Sequence, residues 1–208
     1  MPTRRHLLLA TAALWGCATG PAPMREWFIF LETGLPTPPD REAVMRMQRG
    51  HLANFKRLFD AGQLSAAGPL RDPAGRKRGI VVVRAASMEE LRGCFEPDDY
   101  VRLGHMTLNA VPATAEKPLH TEGIDPFGVE EVRIVQIARG GVTGRQRELL
   151  REQVARGTFG AWYTLHQGPV AEVLFARTTD DAALQPALAP FDADAVVWAQ
   201  WLGRGVLR

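Results

Sequence analysis

Apolar and polar positions along this chain switch repeatedly between two periods. The run EWFIFLE, residues 26–32, is continuous, apolar and β-prone, and PTPP then breaks it. From Asp40 the apolar residues move to helical spacing: Val44, Met47, His51, Phe55 and Leu58 fall on one stripe, and Asp60-Ala61-Gly62 supplies the stop near Phe59. QLSAAG reads as a short strand ended by Gly68-Pro69, and RGIVVVRA as a buried strand. Ser87-Met88-Glu89-Glu90 is a capping box that opens a second helix, and MTLNAV closes the series as a strand. Six elements thus span Glu26 to Pro112.

The pattern then restarts. Ala113 to Gly128 has proline, glycine and charge without a period and reads as a linker. EEVRIVQIAR is a strand, Thr143-Gly144-Arg145-Gln146 is a capping box, and the helix it opens ends near Gly157. AWYTLHQGP and VAEVLFARTT form a strand pair, DAALQPALAPF is a short proline-interrupted helix, and AVVWAQWLG is the last strand. Gly168-Pro169 stands where Gly68-Pro69 stands in the first unit, so the chain is an internal repeat. The fold expected is α+β: tandem ferredoxin-like (βαββαβ) units, each with one sheet face free of helices, packed sheet to sheet within the chain as a dimeric α/β barrel. The boundaries expected are 1–23 for a signal and tether, 24–112 for the first unit, 113–128 for the linker and 129–208 for the second unit.

Composition narrows the function. With 46% hydrophobic and 23% charged residues and a formal charge of +2, the chain is ordinary globular material. No basic run is interleaved with aromatics, which argues against nucleic acid as a partner. The start, MPTRRHLLLATAALWGC, has Arg4 and Arg5, a short apolar run and small residues after it, the layout of an export signal. Leu14-Trp15-Gly16-Cys17 resembles a bacterial lipobox, in which Cys17 would carry lipid, and Thr3 to Leu8 resembles a twin-arginine motif. The expectation is a membrane-anchored periplasmic or envelope lipoprotein. Cys94 would then be the one thiol of the mature chain, buried and inert, without an internal disulfide.

One resemblance is specific. His51-Leu52-Ala53, Asp60-Ala61-Gly62-Gln63-Leu64, Ala67-Gly68-Pro69-Leu70 and Asp98-Asp99-Tyr100-Val101 with Gly104 occur in order, and together they resemble the signature of the YCII-related (YciI-like) family of small dimeric α/β-barrel proteins. Here Asp99 replaces the family's proline, with Pro97 just ahead of the motif. The resemblance covers the first unit and implies a His51–Asp98 pair in a pocket walled by Gly68 and Pro69, with Tyr100 beside it. It also implies lyase or isomerase-type chemistry on a small cyclic compound with no metal or organic cofactor, and a possible homo-oligomer. Asp125-Pro126-Phe127 spells the tripeptide more literally but lies in the linker, so position favours Asp98.

The residues alone allow two readings. Burial disfavours a charged imidazole, a nearby carboxylate favours it and fixes the tautomer, and such a base can take a proton next to a carbonyl. Equally, His51 can be a satisfied core residue of a non-catalytic ligand-binding or envelope interaction module. Asp60, nine residues on, falls on the opposite helix face, and Arg49 and Lys56 read as solvated, Arg49 being the candidate for an anionic substrate. In the second unit the helix position matching His51 falls near Arg151, and only an acidic echo remains at residues 192–195. His166 reads as a sheet-edge histidine, with axial haem ligation as its functional alternative; His105 and His120 have no partners by spacing.

Overall fold

The computed structural model describes residues 23–207; Arg4, Arg5 and Cys17 lie outside the described residues. The first half runs β1 (Arg25–Thr33), α1 (Arg41–Asp60), β2 (Leu64–Pro69), β3 (Lys77–Ala85), α2 (Met88–Phe95), α3 (Asp99–Arg102) and β4 (Met106–Lys117). The second runs β5 (Asp125–Ala138), α4 (Gly144–Ala155), β6 (Ala161–Leu165), β7 (Val170–Ala176), α5 (Gln185–Leu188) flanked by 3-10 turns, and β8 (Ala195–Arg204). Local signals set these bounds. The Asp40 side chain accepts from Glu42 N at 2.9 Å to start α1, and Thr143 and Gln146 form a reciprocal capping box on α4. At Ser87 the box is looser, since Glu90 Oε2 accepts from Ala86 N rather than from the cap residue.

All eight strands join one antiparallel sheet in the order β2-β3-β1-β4-β6-β7-β5-β8. Within each half the strand order is the same, second-third-first-fourth. The outer strands β2 and β8 approach through the Leu70–Gln200 bridge, so the sheet is nearly closed into a barrel. The inner faces of the two halves share one core, as sheet-to-sheet packing requires, and the halves are in addition joined edge to edge through β4 and β6. This pairing corrects the linker expected at 113–128. Ala113, Thr114 and Ala115 pair with Leu165, Thr164 and Tyr163 of β6, and β5 starts at Asp125. Edge residues with pairing partners stay in strand whatever their local composition, leaving only residues 118–124 between the strands.

Period-two alternation then sorts side chains into three cores. Phe28 and Phe30 of β1, Ile80 and Val82 of β3, Tyr163 of β6 and Phe175 of β7 fill the barrel interior, drawn from both halves. Trp27, Ile29 and Leu31, on the other face of β1, pack under α1 and α2 with Leu58, Leu91 and Phe95. Val135, Ile137 and Leu174 do the same under α4 with Leu150. Strands buried on both faces explain why EWFIFLE and RGIVVVRA are continuously apolar instead of alternating.

Candidate functional site

The stripe on α1 delivers His51 to the interface between helix and sheet, where it is 7% exposed. Asp98 arrives from the turn between α2 and α3 and is fully buried. Its two oxygens have separate tasks. Oδ1 accepts from the backbone N–H of Tyr100 (3.0 Å) and Val101 (3.3 Å), capping α3, while Oδ2 lies 2.6 Å from His51 Nδ1. The α3 turn is absent from the expected elements because four residues carry no periodicity. A carboxylate oxygen only accepts, so in the neutral ring Nδ1 carries the proton and Nε2 the lone pair. Nε2 makes no hydrogen bond to another described residue. Phe55 packs on the ring at 4.3 Å between centroids, and Tyr100 meets its edge at 5.5 Å.

His51 lines a cavity of about 510 Å³ between α1, β2 and the end of β8. Phe55 and Phe59 of α1 and Leu31 of β1 supply apolar wall, Gly68 and Pro69 stand at the end of β2, and Trp201 and Leu202 come from the second half. Asp98 and Tyr100 do not line it; they hold the histidine from behind, so Tyr100 is placed differently from the pocket position expected. Lys56 and Asp60 reach the cavity edge already paired at 2.6 Å. Arg49 is exposed and outside the lining.

Four residues escape a reading of the sequence. Asn54 is buried on α1, donates to Cys94 O at 3.1 Å and accepts from Arg57, fixing α1 against α2. Ser65, Arg78 and Trp201 line the cavity without belonging to any motif. For Ser65 and Arg78 the sole local signal would be a β-bulge, which depends on pairing that a single sequence does not display.

The remaining candidates fall elsewhere. His166 is exposed, with Nε2 2.8 Å from Thr114 Oγ1, and lines neither this cavity nor a second one of about 410 Å³ near Lys77 and Trp198. In that second cavity Lys77 donates to Gln136 Oε1 at 2.7 Å and sits over the Phe30 ring at 4.0 Å; burial pushes its amine below the usual range. His105 is half-buried, 3.3 Å from Leu35 O, and Arg151 is exposed beside Glu148. The side chains of Asp125 and Asp192 lie outside those described. No group of three metal-ligating side chains occurs among the described residues. The second half has its own buried carboxylate: Glu172 accepts from Arg147 (2.6 Å) and Trp162 (2.7 Å), and burial raises its pKa against those favourable contacts.

Neither a protein-family model nor a curated protein matches the sequence. Solved structures do match in shape. A candidate monooxygenase from Fusobacterium nucleatum aligns over 89% of this chain and 96% of its own, with a TM-score of 0.50 at 8% identity. A candidate monooxygenase from Lactobacillus acidophilus covers 85% and 92%, with a TM-score of 0.49 at 10% identity. A heme-binding protein from Thermus thermophilus covers 88% and 94%, with a TM-score of 0.44 at 13% identity. The first of these likenesses shows a shared fold: an α+β chain whose eight antiparallel strands form a nearly closed barrel.

Proposed function

We propose that this chain is a YCII-related protein in which His51, oriented by Asp98, performs general acid–base chemistry on a small cyclic organic molecule. The observation that carries the reading is the division of the imidazole between a buried carboxylate on Nδ1 and an unbonded Nε2 on a residue lining the cavity. In that tautomer Nε2 takes a proton from a carbon next to a carbonyl. Returning it to a second carbon completes an isomerisation; loss of a leaving group from the adjacent carbon completes an elimination. Neither needs an oxidant or a cofactor. The tandem ferredoxin-like description, two units joined by residues 118–124, belongs to the same proposal, as does a second unit that has exchanged the pair for structural contacts.

Proton exchange tests this directly. Small cyclic enones and lactones incubated with the protein in D2O should lose α-proton signal in 1H NMR, and His51→Gln should abolish the loss. Exchange that persists in His51→Gln, or that occurs with no compound, would leave the cavity as a binding site without chemistry. That second reading has its own support, because Asp98 already serves as the α3 cap. We further propose export and lipid anchoring at Cys17, placing the cavity in the envelope; Cys17→Ser should release the protein from the membrane fraction.

A further inference from the structure

Two polar side chains that reach the cavity lining from β-bulges have no partner among the described residues. Arg78 is exposed at the rim, and its guanidinium makes no hydrogen bond, ion pair or ring contact with another described residue. Ser65 is 4% exposed, and its hydroxyl is likewise unbonded. Both occupy β-bulges. The β1–β3 register passes from Leu31–Gly79 to Glu32–Lys77 and skips Arg78, and the β2–β3 register passes from Leu64–Val83 to Ala66–Val82 and skips Ser65. A bulge breaks the alternation of faces and re-aims one side chain, and here two bulges bring two uncommitted polar groups to the same cavity.

The charge around them is simple. Lys56 and Asp60 neutralise each other, which leaves Arg78 as the unbalanced charge on the lining. Most other wall groups are apolar, among them Leu31, Phe55, Phe59, Met106 and Trp201. A planar guanidinium recognises a carboxylate through paired N–H donors. One guanidinium balances the single charge of a carboxylate and leaves a phosphate dianion half balanced.

Resting on the proposed His51 site, we infer that its ligand is a small amphipathic monocarboxylate, whose carboxylate is held by Arg78 while its ring lies on the apolar wall. Arg78 is then the specificity residue for the anionic end, and His51 Nε2 is left to face the ring. The inference replaces Arg49 as the group that meets an anion.

Cinnamate and its uncharged amide, cinnamamide, separate the possibilities. Calorimetric titration of the full chain should give cinnamate about ten-fold tighter binding than cinnamamide, the scale of one charge-assisted contact at a partly wet site. Arg78→Met should bring cinnamate down to the level of the amide while the amide's own affinity is unchanged. Ser65→Ala and His51→Gln should both keep the preference. Equal affinities in the wild type, or a preference surviving Arg78→Met, would overturn the inference, as would absence of cinnamate binding. Proton exchange distinguishes the two proposals: a carboxylate preference with no proton exchange on any compound removes the chemistry and keeps the ligand class. Chemistry on uncharged compounds with no such preference does the reverse.

Discussion

Gly68 of β2 lies so close to β8 that a Cβ at that position would stand 1.8 Å from the Trp201 carbonyl oxygen. This approach belongs to the seam where the barrel nearly closes, beside the Leu70–Gln200 bridge and the Arg71 N–H donated to Ala199 O at 2.9 Å. The same strands wall the His51 cavity. A side chain at position 68 has backbone in its way and cannot be absorbed by rotating a rotamer. Gly68→Ala should therefore cost about 1–3 kcal/mol, as overpacking does in a close-packed core. Urea unfolding measures it, and a variant as stable as the wild type would mean that the seam is looser than these distances.

Replacing Asp98 with asparagine tests the orientation of the histidine separately from the fold. Asparagine keeps an oxygen to accept from Tyr100 and Val101, and asparagine and aspartate cap helices about equally. Its amide nitrogen, however, donates to Nδ1, which moves the ring proton to Nε2. Asp98→Asn should stay folded, change the 15N shifts of the His51 ring to those of the other tautomer, and lose proton exchange. Unchanged ring shifts would show that Asp98 does not set the tautomer. Asp98→Ala, which removes cap and partner together, should cost about 1–3 kcal/mol.

The sequence carried the repeat and the helix that delivers His51, because these rest on local chemistry: the apolar stripe on α1, the stop at Gly62, the box at Thr143. It did not carry the joining of the halves. Ala113 to Lys117 look like loop on their own and become strand through pairing with β6, a long-range event with no local signature. The site divides in the same way. The pairing of His51 with Asp98 was legible through a motif, whereas Ser65 and Arg78 owe their positions to two register shifts, and Trp201 reaches the cavity from the far end of the chain.

Cys94 offers a direct probe of the first helix layer. It is a buried residue of α2 packed against α1, and burial pushes its thiol above its ordinary pKa. The folded state thus holds this proton where the unfolded chain loses it, so stability falls as pH rises through the interval between the two values. Native protein should react with iodoacetamide far more slowly than urea-unfolded protein, at a rate set by opening. Rapid labelling under native conditions would contradict that burial.

Arg147 should show what the second half kept in place of the pair. On α4 it faces the sheet as His51 does on α1, but its partner is the buried Glu172, which also accepts from Trp162 and lies 2.8 Å from Thr164 Oγ1. Arg147→Met leaves this carboxylate buried without its countercharge. The cost should be about 3 kcal/mol at neutral pH, the low end for a broken buried pair because Arg147 is partly exposed. Burial already raises the Glu172 pKa, and losing Arg147 raises it further. A carboxyl whose folded pKa lies above its unfolded value favours the folded state below that value and loses the advantage as pH rises through it. The variant should therefore recover part of its deficit between pH 7 and pH 5, because a protonated Glu172 needs no cation. Urea unfolding at the two pH values decides the matter. An equal deficit at both would mean that Arg147 stabilises the second half through its packing on the Trp162 ring, 5.3 Å away, rather than through charge.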